Sequence, residues 1–373
     1  MKRFLSFFLV LTILVSLSSE AQAAQSSKWV TSDMVGKDAW SYEALSAAVD
    51  VGLLEGDFGQ IKPYDKMTRA EMITMILRAL GLDDSLGQDF TSFQADIKDF
   101  KDVKQSDWFY QEMGMAYRLK LIDGISDTKM SPKGIVTREQ AFTVLSRLMS
   151  LNTNTTDTAV LSRFTDKETV SAWARPYVAT MVTAGYVSGY NNRLNPSAPI
   201  SRQDFAQIMY NLFHRNYIKN QIQANTLEGE NISGNLVVSA GNVALKNISV
   251  TGDVIIGDGV GNGNVTLDHV AIAGRLIVRG GGDHSIYLKS TTAKTIIVSK
   301  LSDGGIRVFG DDGSEVSYME IPDGKDTVII ECDVLNLMLS DNDLDIVVNK
   351  TVENMTLSGD NIHVSGPGHV GTI

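Results

Sequence analysis

The chain has 373 residues, with 33 Lys and Arg against 44 Asp and Glu, a formal net charge of −11 and one cysteine. That length accommodates two or three domains with sizeable cores. The acidic balance, with no basic face in view, argues against nucleic acid as a partner, and a lone Cys332 rules out an internal disulfide framework.

The first 23 residues read as a secretory leader. Lys2 and Arg3 are followed by a mostly apolar run, Phe4 to Leu17, and by the small-residue site Ala21-Gln22-Ala23. This pattern predicts a signal peptide cleaved after Ala23. No later stretch approaches the roughly 18 apolar residues a membrane span needs. The expectation is an exported protein without a membrane span.

Three features then recur together. Trp40, Trp108 and Trp173 are each followed 16 residues later by Gly56, Gly124 and Gly189. Prolines follow (Pro63, Pro132, Pro196), and five residues beyond each stands a hydroxyl residue with an arginine: Thr68-Arg69, Thr137-Arg138, Ser201-Arg202. Such spacing predicts three copies of one unit, placed at 32–82, 98–151 and 163–215.

Each copy reads as helix, loop, helix. Tyr42, Leu45, Ala48, Val49 and Leu53 share one helical face in copy one, as do Met113, Ala116, Tyr117 and Leu121 in copy two and Tyr177, Val178, Met181, Val182 and Tyr186 in copy three. Gly56, Gly124 and Gly189 are read as the left-handed residues ending these helices. The second helices open with Thr68 and Glu71, Thr137 and Gln140, and Ser201 and Asp204, which predicts capping boxes, the third weaker because Asp is short.

Arg69, Arg138 and Arg202 then occupy the first helical position, where a cation opposes the helix dipole by about 0.3–1 kcal/mol. Repeating an unfavourable local choice points to a role outside helix stability. An arginine beside unpaired helix-start amides suits a carboxylate or phosphate. The alternative is an internal salt bridge. Each tryptophan either staples the entry loop or stacks on a sugar, stapling being the stronger reading for any one of them.

These residues resemble the S-layer homology domain, which usually occurs in threes. The resemblance rests on Phe100-x-Asp102 and Phe164-x-Asp166, on the glycine turns and the proline, and on Thr68-Arg69-Ala70-Glu71. It covers about Ser32 to Phe213. It implies a pseudo-threefold helical bundle whose grooves bind secondary cell wall polysaccharide, often ending in a pyruvylated amino sugar. By resemblance the ligand-binding set is Arg69, Arg138 and Arg202 with Asp33, Asp102 and Asp166, and Trp40, Trp108, Trp173, Gly56, Gly124 and Gly189 mark the same grooves. Copy one departs from the pattern, with Val30-Thr31-Ser32-Asp33 for the Phe-x-Asp form and Asp57 after its glycine.

A polar connector is expected at 216–231. Beyond it, short apolar runs form two interleaved sets. One is 236–238, 254–256, 276–278, 296–298, 328–330 and 346–348; the other is 243–245, 265–267, 286–288, 306–308, 335–337 and 355–357. Spacings of about 20 residues with Gly, Asn and Asp between runs predict a right-handed parallel β-solenoid of six or seven coils over 232–373, with an insertion near Phe309 to Thr327. A β-sandwich is the alternative.

Candidate chemistry in this half is sparse. Asp341, Asp343 and Asp345 either cluster as catalytic carboxylates or form a solvated turn, and the turn is preferred. His269, His284, His363 and His369 lack metal-ligand spacing, and no cofactor is implied. Cys332 follows Val328-Ile329-Ile330 and is expected buried. The expectation is a non-enzymatic surface protein of a bacterium, held to the wall by its repeats, its solenoid a structural module with self-assembly or an unknown surface partner in prospect. A wall-anchored polysaccharide-degrading enzyme and an S-layer lattice subunit are the alternatives.

Overall fold

The computed structural model describes residues 32–56, 59–82, 97–154, 156–218, 226–324 and 326–373. The leader expected at 1–23, Asp57, and connector residues 219–225 lie outside them. No helix among the described residues is long and apolar enough to cross a membrane.

Six helices form three pairs. They are α1 (Tyr42–Asp50) and α2 (Arg69–Ala79), α3 (Tyr110–Arg118) and α4 (Arg138–Leu148), and α5 (Arg175–Thr183) and α6 (Arg202–Phe213). All three second helices carry closed capping boxes, including the Ser201 and Asp204 pair expected to be weak. Asp204 Oδ2 reaches the Ser201 amide at 3.2 Å, so the shorter carboxylate suffices.

The first helices end differently from expectation. The residues that end them are Gly52, Lys120 and Gly185, with φ of 68°, 52° and 79°, each four residues before the glycine that the repeat pattern singles out; of those three glycines Gly189 alone is also left-handed, with φ of 70°. Gly124 and Gly189 meet a steric need as well. A Cβ at Gly124 would lie 2.6 Å from the Phe100 ring, and one at Gly189 would lie 2.8 Å from the Phe164 ring. The glycine and the Phe-x-Asp phenylalanine are therefore two halves of one close contact.

The repeats are joined in a ring. The Met67 amide donates to Ile200 O, the Ile200 amide to Val136 O, and the Val136 amide to Met67 O, each at 3.0 Å. These residues immediately precede the three caps, so the ring closes around a pseudo-threefold axis. Each second helix then starts inside its neighbour's proline loop. The amides of Arg69 and Ala70 bond Gly134 O and Pro132 O; those of Arg138 and Glu139 bond Ala198 O and Pro196 O; those of Arg202 and Gln203 bond Asp65 O and Pro63 O. Repeat 1 thus docks on repeat 2, repeat 2 on repeat 3, and repeat 3 on repeat 1.

Those loops are held open by three equivalent carboxylates. Asp33 accepts the Ile61 and Lys62 amides at 2.8 and 2.7 Å, Asp102 those of Met130 and Ser131 at 3.0 and 2.8 Å, and Asp166 those of Leu194 and Asn195 at 3.0 and 2.7 Å. Lys62, Ser131 and Asn195 have φ of 50°, 55° and 50° and stand directly before the prolines. A left-handed non-glycine residue costs about 1–2 kcal/mol, which two charge-assisted hydrogen bonds offset. Asp33 does in copy one what Asp102 and Asp166 do in theirs.

The second half is a parallel β-solenoid of about seven turns. Every strand pairing within it is parallel, as when Val237 pairs with Ile255, Ile255 with Ile277, and Ile277 with Ile297. The antiparallel pairing of a β-sandwich is absent among the described residues. Its first coil begins inside the expected connector, since Tyr217–Ile218 pairs with Val237–Val238 and Thr226–Glu228 with Ala244–Lys246.

The two sequence sets exchange identity after the fourth coil. No insertion separates them. Strand Tyr318–Gly324 lies in the stretch read as one, and it pairs with 295–300 on one side and 336–339 on the other. The runs 328–330 and 346–348 stack on 306–308, not on 296–298.

The cause is two-sided burial. In Leu236-Val237-Val238, Val254-Ile255-Ile256, Leu276-Ile277-Val278 and Ile296-Ile297-Val298, the outer residues fill the solenoid interior. The central residues Val237, Ile255, Ile277 and Ile297 instead join the core of the helical bundle. One face of the first coils therefore lies against the helices, and strands buried on both faces are apolar throughout. Farther along the same ladder the central residues are Glu320, Met338 and Thr356. Apolar packing on the bundle core has ended there, leaving polar contacts such as those of Lys120 with Asp323 and Asp341, and the signature fades with it.

Solenoid side chains also cap the helices. Ser239 Oγ donates to Ala79 O and the Gly259 amide to Leu80 O at the end of α2. Arg275 donates to Met149 O at 2.9 Å and Ser150 O at 2.8 Å beyond α4, and Asn235 Nδ2 to Leu212 O at 2.8 Å in α6. Carbonyls without intrahelical partners are satisfied, and Arg275 complements the negative end of a dipole. Cys332 is buried at the inner wall, where burial pushes its thiol up to about 12, so it is inert packing.

Two outcomes follow. Replacing Ile277 by Asp buries an unpaired charge between bundle and solenoid. Calorimetry should show the melting temperature falling by more than 5 °C, a loss of several kcal/mol, whereas Thr356→Asp, on the exposed end of the same ladder, should leave it unchanged. The Asp166 carboxyl is opposed by burial, but the Leu194 and Asn195 amides outweigh this and hold it below the usual range. Its contribution is present at neutral pH and is lost as pH falls below about 4. Asp166→Asn should cost about 1–3 kcal/mol at pH 7 in urea unfolding and flatten the acid limb of the stability curve.

Candidate functional site

The three arginines open α2, α4 and α6, and so stand at the ends of these helices farthest along the chain from the solenoid caps. For the 11 residues of α2 that separation is about 16 Å. The anion cradle expected there from free amides does not exist. The first two amides of each helix are taken by the neighbouring loop and the third by the cap oxygen. Only the side chains remain available.

The guanidinium groups differ. Arg202 donates to Ile61 O at 3.2 Å and forms an ion pair with Glu71, its side chain 14% exposed. Arg138 donates from Nε to Leu194 O at 2.8 Å and faces Asp204 at a looser 3.9 Å. Arg69 donates from Nη2 to Asp123 O at 2.7 Å. Its Nε is buried without a hydrogen-bond partner. Among the described residues no carboxylate lies within ion-pair distance of Arg69. Burial lowers its pKa, the Asp123 carboxylate opposes that, and the Arg147 guanidinium adds to it.

The salt-bridge alternative thus describes Arg202 and, loosely, Arg138, but not Arg69. Its partner also differs from the one nearest in sequence. Glu71 pairs with the arginine of repeat 3, not with Arg69 two residues before it.

The tryptophans are largely exposed, although the Trp108 ring meets buried Phe109 edge-on at 5.3 Å. Trp40 and Trp108 are each 61% exposed and Trp173 is 52% exposed. Three indoles in solvent leave stacking faces for a ligand. Tyr190, the aromatic that copy three keeps after its glycine, and Tyr64 add further exposed rings, at 76% and 67%. Asp33, Asp102 and Asp166 have both oxygens engaged by loop amides, so they shape the loops. Gly56, Gly124 and Gly189 act through close packing. At Gly56 a Cβ would meet Gln60 O at 2.9 Å.

The structure has a cavity of about 410 Å³ where repeat 2 meets the solenoid, lined among others by Lys120, Asp123, Arg147, Arg279 and Asp323. None of the candidate binding residues read from the sequence lines it. In the solenoid the three aspartates have separate partners. Asp341 faces Lys120, Asp343 accepts from Asn361 at 3.1 Å, and Asp345 accepts from Thr327 at 2.6 Å. They do not assemble into a shared carboxylate cluster.

Comparison with known proteins fits this geometry. The sequence pattern of the S-layer homology domain matches residues 31–73, 99–142 and 163–206. The surface-layer 125 kDa protein of Lysinibacillus sphaericus is 32% identical over 174 residues, 45% of this chain and 14% of that protein. The cellulosome-anchoring protein of Acetivibrio thermocellus is 29% identical over 148 residues, 39% of this chain and 32% of its own length. An amylopullulanase of Thermoanaerobacterium thermosulfurigenes is 29% identical over 182 residues, 48% of this chain and 9% of the enzyme. The chain therefore spans a third or less of each of these relatives, and the enzyme's likeness is confined to the helical repeats. The helical half of this chain is a triplet of S-layer homology domains.

Proposed function

We propose that this chain is an exported bacterial surface protein held non-covalently to secondary cell wall polysaccharide by its three helical repeats. The ligand group is a carboxylate on the sugar, such as a pyruvate ketal, and the arginines at the starts of α2, α4 and α6 are its contacts. The exposed indoles of Trp40, Trp108 and Trp173 stack on sugar rings beside them. The observation that carries the reading is Arg69, a half-buried guanidinium with an unpartnered Nε and no carboxylate of its own. Such a group is stabilised by an incoming anion, because an unmatched buried donor is costly. The relatives whose names speak of a surface layer and of anchoring point the same way.

Linked weak contacts make such an anchor tight, since repeats on one frame convert later contacts into intramolecular ones and raise apparent affinity by about 10²–10⁴. The solenoid is fixed to the bundle and carries its outward faces with it. It serves as a structural or interaction module at the cell surface.

The test is sedimentation with purified wall sacculi. The mature chain should pellet with intact sacculi and stay in solution once the wall polysaccharide has been chemically stripped. Arg69→Ala, Arg138→Ala and Arg202→Ala combined should lower pelleting at least 100-fold while circular dichroism stays that of the folded bundle. Pelleting of this variant at the wild-type level would remove the arginines from the account.

A further inference from the structure

The three boundaries between repeats have the same backbone but not the same charge. Each arginine docks on the next repeat around the ring, so the residue that faces it is the third residue of that repeat's second helix. For Arg202 this is Glu71, and the two form an ion pair. For Arg138 it is Asp204, 3.9 Å away. For Arg69 the equivalent position is Gln140. A glutamine caps the helix as well as an acid does, and its Oε1 accepts the Thr137 amide at 3.0 Å. It brings no negative charge.

The side chains respond to this difference. Arg138 and Arg202 turn to equivalent carbonyls, Leu194 O and Ile61 O, beside their acids. Arg69 departs from that path and reaches Asp123 O instead. The Asp123 carboxylate is itself taken by Arg147 at 3.0 Å. At the boundary of repeats 1 and 2 the acid nearby is therefore held by Arg147 and Arg69 has only its backbone carbonyl, whereas Arg138 and Arg202 each face one acid of their own.

We infer that the boundary between repeats 1 and 2 is the principal site for the acidic sugar, and that Gln140 is the positioning residue that keeps Arg69 open to it. This rests on the anchoring role proposed above. At the boundary of repeats 3 and 1, an incoming carboxylate meets the charge of Glu71, whose acid form burial favours but whose bonds to Thr68 and Arg202 hold the pKa below the usual range. Two carboxylates at one guanidinium repel each other. The boundary of repeats 2 and 3 is intermediate, because Asp204 stands farther from Arg138.

The experiment is calorimetric titration of the mature chain with a soluble pyruvylated amino sugar. Wild type should show one strong site, lost in Arg69→Ala. Gln140→Glu should weaken it about tenfold, the effect growing at low salt. Glutamate is the native third residue in repeat 1, so the cap survives the change, and an unaltered melting temperature verifies this. Glu71→Gln should add a second strong site at Arg202, a gain that no loss of structure produces. If Gln140→Glu binds like wild type while Arg69→Ala does not, or if Glu71→Gln adds no site, the assignment to Gln140 is overturned and the anchor stands. If Arg69→Ala and the triple alanine variant both bind like wild type, the anchor and this assignment fall together.

Discussion

The helical half of this molecule depends on one constraint, that each second helix begins inside the proline loop of the next repeat. A helix leaves four amides without partners at its start, and here the first two are satisfied by carbonyls that only a neighbour can supply. No repeat can close its own helix. The arrangement returns from the third repeat to the first, so three is the number that completes it. The same contact carries each arginine across a boundary and sets it against a residue from another copy. Conformation and electrostatics are thus decided between repeats, not within them.

The opposite ends of those helices are closed by the solenoid. Asn235 and Ser239 flank one solenoid strand and Arg275 comes from two coils farther on, and each meets the final carbonyls of a different helix. Backbones also touch directly. A Cβ at Gly259 would lie 2.6 Å from Gly81 O, so only glycine permits that approach. The bundle and the solenoid share a core, and the second helices are bounded at one end by the loops of neighbouring repeats and at the other by a sheet.

Much of this is legible in the residues. Thr137 with Gln140 announces its helix because a capping box is a local device. The triplets around Val237 and Ile277 announce strands because two-sided burial leaves no polar position. The unread parts are contacts between distant segments. Gly124 looks like a helix stop until Phe100 is seen beneath it, and the true stop, Lys120, has no glycine to mark it. Met319, Glu320 and Pro322 conceal a strand, since one face of it no longer packs into the apolar core of the bundle and takes polar residues. The pairing of Arg202 with Glu71 is invisible in sequence, as 131 residues separate them and a nearer acid is always on offer. For the candidate site, the repeated arginine positions are visible in the sequence, and the different partners that each arginine meets across its boundary are not.

The face made by Val237, Ile255, Ile277 and Ile297 has a mechanical consequence. These four side chains sit on successive strands, about 4.8 Å apart, along a single line between solenoid and helices. A tension applied to the last coil, as flow or an attached body would apply it, runs up the stacked strands and strains all four contacts in parallel. That is shear, not peeling, and it resists force better than the same contacts broken one at a time. A load on the far end of the solenoid therefore reaches the helical bundle spread over the whole seam.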